Sequence, residues 1–335
     1  MNRTIRMTGR LWQLLAAAVV LALLATATSM TPASAATKRS TAAKVAGAFA
    51  QVKETALEAA KPKPAPTDAC GAGLRKADGS SWRCTFVDDF TGTALNRKVW
   101  TPVTTEASGV SHGGDCQVDD PDNIAVSNGS LKLTVRKEAQ PFTCKSPQGS
   151  FTADVTSTSL SSLTSFAQTY GRFEMRAKMP QTNGAGTHSA WWLWPKDYTY
   201  GGWPYSGEID IAEYYSAYPD RMIPQLHYVP QDDDGVAARS NYQCMIKDPT
   251  SYHTYTLEWT KSRIKIMYDG ATCVDYTVKT AVSSLGQVLS SGAPFDKPFT
   301  LALTQTLGMS NTPNARTAST ALPSTMEVDY VKVWS

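Results

Sequence analysis

Several features common in other protein classes are missing from this chain. It has no CxxC pair, no long stretch of helical periodicity, no internal repeat and no second compact module. Without CxxC spacing the cysteines do not suggest a zinc site or a dithiol redox centre. Without a sustained 3.6-residue apolar period, a helical bundle is not the expected fold. A basic stripe is missing too, although the formal charge is +3. Residues 1–68 hold nine of the 32 Lys/Arg and three of the 29 Asp/Glu, so the rest of the chain has a net charge of −3. The basic character belongs to the leader and linker, and nucleic acid is not an expected partner.

A full-length membrane span is also lacking. The apolar run "LWQLLAAAVVLALLATA" falls short of the roughly 20 residues a span prefers. It follows Arg3, Arg6 and Arg10 and precedes "ASA" at 33–35, the layout of a secretory signal cleaved after Ala35. An uncleaved anchor is the alternative. Residues 1–35 are therefore expected to be a signal peptide, and the mature protein to be extracellular, monomeric and free of the membrane. Residues 36–68, rich in Ala and Lys and ending in "KPKPAP", read as a linker or short propeptide, because proline has no amide donor with which to continue a helix. The remaining domain is 69–335.

What is present begins with six cysteines: Cys70, Cys84, Cys116, Cys144, Cys244 and Cys273. An even number suits three disulfides in an oxidising compartment, and sequential pairing (70–84, 116–144, 244–273) is expected, with free buried thiols as the alternative. From about Ala69, short stretches alternate apolar and polar residues between Gly, Pro, Asn and Asp. In "YGRFEMRAKM" (170–179), Arg172, Glu174, Arg176 and Lys178 fall on one side, and Phe173, Met175 and Ala177 on the other. That is the period of a half-buried strand. "YTLEW" (255–259), "FTLALTQ" (299–305) and "MEVDYVKVW" (326–334) behave alike, and "RIKIMYDGATCVDYTV" reads as a hairpin turning at Asp-Gly. Together they predict an all-β antiparallel sandwich.

Aromatic residues cluster at Trp191, Trp192, Trp194, Tyr198, Tyr200, Trp203, Tyr205, Tyr214 and Tyr215. Core packing accounts for any one of them. So many beside one acidic strand also suit stacking on sugar rings, since aromatic side chains combine an apolar face with a polar edge.

That strand is "GEIDIAE", residues 207–213. Ile209 and Ile211 take the core side, and Glu208 and Asp210 share the other face. Strict alternation would drive Glu213 into the core, a costly burial of a lone charge. A β-bulge at Ile211–Ala212 resets the alternation and returns Glu213 to the face of Glu208 and Asp210. The outer glutamates then lie about 13 Å apart at their α-carbons, at about 3.3 Å per step. On a concave sheet they can lean together to the carboxyl separation of about 5–5.5 Å that a retaining glycosidase uses. Crowding helps one of the three keep its proton. A metal site and a solvated strand face are the competing readings.

"GEIDIAE" resembles the catalytic signature of glycoside hydrolase family 16 in its bulged, laminarinase-like form. "YGRFEMRAKMP", "AWWLWP", "GGWPYSGEIDIAE", "LHY", "YHTYTLEWT", "IKIMYDG" and "VDYVKVW" resemble that family's successive strands, in order, over most of residues 84–335. The resemblance implies a β-jelly-roll sandwich of the concanavalin A-like lectin/glucanase type, with a cleft across its concave face. It implies a secreted endo-β-glucanase acting on β-1,3-glucan, with mixed-linkage glucan, galactan or glycan transfer as related specificities and a non-catalytic glycan-binding jelly roll as the competitor from another class. By position, Glu208 is the nucleophile, Glu213 the acid/base and Asp210 the carboxylate that tunes the nucleophile. Trp192 and Trp203 are implied sugar contacts, and His227 is a histidine placed near the acid/base. In "LTQTLGMS", where relatives carry Asn and Gly-Gly, Gln305 or Thr304 is the candidate substitute contact. No cofactor is required. A structural calcium is implied at Asp329, with Asp89 near the other end of the domain sequence. His253 is as readily structural as functional, and Glu258 and Arg176 read as scaffold charges.

Overall fold

A computed structural model describes residues 65–335. The expected signal peptide, and the linker as far as residue 64, lie outside the described residues. Residues 65–68, assigned to the linker from sequence, instead form a strand, Ala65–Asp68, paired with Gly71–Gly73. The Asp68 carboxylate accepts from the amides of Cys70 and Cys84, beside the Cys70–Cys84 disulfide.

Eleven strands form the path of one large antiparallel sheet that folds over on itself. In chain order they are β1 (Ser130–Ser146), β2 (Gly149–Ser161), β3 (Gly171–Lys178), β4 (Thr187–Pro195), β5 (Glu208–Tyr215), β6 (Ile223–His227), β7 (His253–Trp259), β8 (Arg263–Tyr268), β9 (Ala271–Thr277), β10 (Phe299–Leu307) and β11 (Ser324–Trp334). Their spatial order is β6-β5-β4-β10-β2-β1-β11-β3-β7-β8-β9. The long β1–β2 hairpin carries the chain from one layer to the other, which yields a jelly-roll sandwich. Helix is confined, among the described residues, to two four-residue turns, Thr105–Ser108 and Val236–Arg239. No helix there is long and apolar enough to cross a membrane.

The alternation expected of β3 is present: Phe173, Met175 and Ala177 are fully buried, while Arg172, Glu174, Arg176 and Lys178 are half-buried on the outer face. β8 and β9 meet at Asp269–Gly270, with φ of 47° and 80°. Two consecutive positive φ values make the tight hairpin turn that Asp-Gly favours. The shared core takes Trp191 and Leu193 from β4, Ile209 and Ile211 from β5, and Leu301 and Leu303 from β10. Facing them are Tyr255 and Leu257 from β7 and Val331 and Val333 from β11. Each such side chain contributes about 1.5–3 kcal/mol on burial. All three expected disulfides are present, with Cα–Cα separations of 5.6, 5.8 and 5.6 Å.

Candidate active site

The outer side of β6, β5, β4 and β10, away from the shared core, is the face on which the family resemblance places the cleft. Strand pairing decides which side chains share it, because directly opposed residues lie on the same face. On β5, Trp191 of β4 pairs with Ala212, and Trp192 pairs with Asp210, so the ladder skips Ile211. The pairing with β6 shifts over the same residues. The bulge therefore stands at Ile211–Ala212, as the carboxylate spacing requires. Both bulge residues are buried in the core. The carbonyl of Ile211 accepts from the buried Tyr268 hydroxyl at 2.8 Å. A side chain of the opposite layer thus bonds the carbonyl at the ladder defect. Gly207 precedes Glu208 with φ of 82°, and a Cβ there would meet Phe295 at 3.0 Å. Only glycine enters the strand at that point without strain.

Glu208, Asp210 and Glu213 consequently share the cleft face. Trp203, 55% exposed, donates its indole N–H to Glu208 Oε2 at 2.5 Å. His227 Nε2 is 3.0 Å from Asp210 Oδ2. Glu213 is held by three donors: His188 Nε2 (3.0 Å) and the Tyr215 hydroxyl (2.7 Å) on Oε1, and Gln225 Nε2 (2.8 Å) on Oε2. Trp192 is half-buried beside Asp210, with its indole N–H donated to Thr304 Oγ1 at 3.0 Å. Opposite Glu213 in register stands Ala190, and opposite Ala190 stands Thr304. Small side chains therefore lie across the sheet from Glu213.

Burial and the neighbouring Asp210 charge push the Glu208 carboxyl up to about 8, against the opposing pull of His227 and the Trp203 N–H. Asp210 is raised well above its ordinary value by burial and by Glu213. Burial also pushes Glu213 upward, but the bonds and charge of His188, with Tyr215 and Gln225, outweigh it and hold this carboxyl low. Burial and mutual repulsion thus favour the neutral form at the Glu208–Asp210 end, whereas hydrogen bonding favours the charged form of Glu213.

The sequence profile of glycosyl hydrolases family 16 matches residues 115–331, from before β1 to within β11, and includes all the residues of the site. The chain belongs to that family. Over 284 residues it is 28% identical to the glucan endo-1,3-β-glucosidase A1 of Niallia circulans, covering 80% of this chain and 39% of the relative. Over 173 residues it is 31% identical to the glucan endo-1,3-β-glucosidase of Cryptopygus antarcticus, covering 50% of this chain and 62% of the relative. The chain thus spans less than two thirds of either relative's length. A family 16 non-specific endo-β-1,3(4)-glucanase, crystallised with 1,3-β-D-cellotriosyl-glucose, shares the fold with a TM-score of 0.63 and 26% identity. That alignment covers 82% of this chain and 99% of the other.

Within this family 16 cleft some expected residues gather and others do not. Trp192 and Trp203 flank the carboxylates, whereas Trp191 and Tyr214 are core residues. His227 is opposite Glu208 in register and contacts Asp210, so it serves that end of the site and not the Glu213 end. Gln305 is a correction. It pairs with Ser189 and so falls on the inner face, fully buried, with its amide bonded to Ser189 Oγ, Ser324 Oγ and the Ser324 carbonyl. Its neighbour Thr304, opposite Ala190, is on the face of the carboxylates, as are Ala302 and Thr306. His253 ties a turn together through Asp269 and the Asp248 carbonyl, and Glu258 pairs with Arg172.

Asp329 does not fit a calcium site. A bulge in β11 isolates it between Tyr330 and Val328, and its carboxylate is bound by the Arg176 guanidinium at 2.5 Å. Asp89 instead bonds the backbone and hydroxyl of Thr91. Among the described residues, the groupings able to hold a metal are Asp68–Cys70–Cys84, whose cysteines are joined in a disulfide, and Glu208–Asp210–His227 in the cleft itself.

His188, Tyr215 and Gln225 are site residues that the carboxylate motif did not reveal. The signal was parity. His188 falls four residues before Trp192 in "THSAWWLWP", and Gln225 two before His227 in "IPQLH", so each shares a face with a residue already singled out.

Proposed function

We propose that this chain is a secreted, endo-acting, retaining β-glucanase whose preferred substrate is β-1,3-glucan. The observation that carries the reading is the bulge-set row of Glu208, Asp210 and Glu213 along an open cleft flanked by Trp192 and Trp203. The two endo-1,3-β-glucosidase relatives support the linkage. The name of the structural neighbour keeps mixed β-1,3(4) linkage as the nearest alternative.

Position in the motif assigns the roles. Glu208 attacks the anomeric carbon while Glu213 protonates the glycosidic oxygen; the C–O bond breaks and a glycosyl–Glu208 ester forms. Glu213, now a carboxylate, takes a proton from water. The resulting attack releases the sugar with its configuration retained and restores both groups. Asp210 is the natural holder of the surplus proton. When neutral it removes the second of the two causes that raise Glu208, burial being the larger, and the Trp203 N–H favours the charged form the attack needs.

One observation favours the opposite division of labour. The three donors on Glu213 favour its anionic form. Azide trapping on an aryl β-glucoside with a good leaving group separates the two. Under the proposed roles, Glu208→Ala with azide yields the α-glucosyl azide and Glu213→Ala yields the β-azide. The reversed pair of products would exchange the roles. Wild-type protein that is folded yet cleaves neither laminarin nor any other β-glucan would overturn the hydrolase reading itself.

A further inference from the structure

The neighbourhood of Glu213 contains more than the reaction scheme uses. A carboxylate has about four lone-pair sites. Here three are filled by protein donors: two on Oε1, from His188 and Tyr215, and one on Oε2, from Gln225. His188 and Tyr215 are opposed in register on β4 and β5, and their rings stack at 4.6 Å with planes 23° apart. The clamp is therefore stiff, formed by two adjacent strands and a ring stack. Behind it, His112 Nδ1 accepts from Gln117 Nε2 at 3.3 Å. Burial and the nearby His188 hold His112 low, at about 4, so it stays neutral.

We propose that His188 is a positioning residue for Glu213: with Tyr215 and Gln225 it fixes the carboxyl so that one acceptor site, on Oε2, is left for the substrate's leaving oxygen. The consequence is chemical as well as geometric. A neutral Glu213 must carry its proton either on that free Oε2 site, facing the reaction, or on Oε1 as a donor to an unprotonated His188 nitrogen. Only a proton on Oε2 faces the leaving oxygen; by occupying Oε1 as a donor, the His188 N–H keeps the acid proton off that oxygen and directs it to Oε2, so the carboxyl does not need to rotate to deliver it. The titratable groups around His188 are Glu213 and Tyr215 from β5 and His112 from the loop before Asp115; Asp210 lies further along the same strand.

This inference rests on the proposed acid/base role of Glu213, and its test separates the two. His188→Phe keeps a ring to stack on Tyr215 and deletes the hydrogen bond; His188→Gln keeps a donor. On laminarin, His188→Phe is expected to lower kcat by about 10²-fold, the loss typical of a misplaced catalytic group, with KM little changed. The loss should shrink on an aryl glucoside whose leaving group needs no proton, and His188→Gln should restore most of it. Independently of turnover, the Glu213 carboxyl, followed by carbon-13 NMR, should titrate higher in His188→Phe than in wild type. If laminarin turnover and the Glu213 titration are both unchanged in a folded His188→Phe, the proposal is overturned. If wild type cleaves no β-glucan but the titration moves, the clamp stands and the hydrolase reading falls. Should His188→Phe fail to fold, Tyr215→Phe deletes a second bond of the same clamp while keeping the stack, and must raise the same titration; no shift overturns the proposal.

Discussion

Glu208 occupies a place that resists its ionisation. Its carboxyl is pushed up to about 8 by burial and by Asp210, whereas in an unfolded chain it would titrate at about 4.3. Between those values the folded state keeps a proton that the unfolded state has released. Stability therefore falls as pH rises, with this contribution fully present below about pH 4 and lost by about pH 8. Glu208→Gln deletes it. Thermal unfolding of both proteins from pH 4 to pH 9 should show the variant gaining on wild type across that window, while catalysis is lost by at least about three orders of magnitude. Unfolding curves that keep a constant offset would show that Glu208 is not perturbed. The same scale contains the clearest failure of sequence reading. Thr304 and Gln305 are adjacent polar residues, and composition does not choose between them. One step of register sends Thr304 to the cleft and Gln305 to the interior.

The β5 bulge is the element on which the site depends. Its presence was legible because the conflict was local: strict alternation would have buried Glu213 with the isoleucines. What compensates for it was not legible, since Tyr268 lies 57 residues away in the opposing layer. Tyr268→Phe leaves the Ile211 carbonyl without that bond and should cost about 1–3 kcal/mol, measured by denaturant unfolding. Deleting Ala212 is the sharper test of the element. It restores plain alternation, directs Glu213 into the core, and should abolish glucan cleavage and lower the melting temperature. An active, equally stable deletion variant would show that the bulge does not set the face of Glu213. The β11 bulge at Asp329 makes the complementary point. The motif position suggested a cation ligand, but the paired strand supplies Arg176, and the carboxylate is already matched.

At the scale of the molecule, the sandwich is held by its shared core and by three cross-links. Cys116–Cys144 ties the short strand Cys116–Gln117 to the far half of the β1–β2 hairpin, over a small satellite cluster with Ala153. The enclosed span of 28 residues corresponds to roughly 3.6 kcal/mol of unfolded-state restriction. Replacing both cysteines with serine should reduce unfolding free energy by about that amount while glucan cleavage at low temperature persists. An unchanged denaturation midpoint would mean that the satellite cluster alone holds the hairpin. Because Gln117 contacts His112, the double variant also reports how firmly the rear of the His188 clamp is seated.

The amino-acid sequence by itself determined the features that depend on near neighbours. Period-two alternation specified the strands, Asp-Gly specified the β8–β9 turn, and three acids among isoleucines specified a bulge and a working face. Each follows from sterics or from the cost of burying charge within a few residues. Only the tertiary structure decided which side of β10 faces the cleft, that His227 serves Asp210, and that His188, Tyr215 and Gln225 converge on Glu213. Those outcomes depend on the register between strands whose contacting residues lie from 12 to 116 positions apart, where a shift of one residue exchanges the two faces and no local pattern records which register the packed core selects.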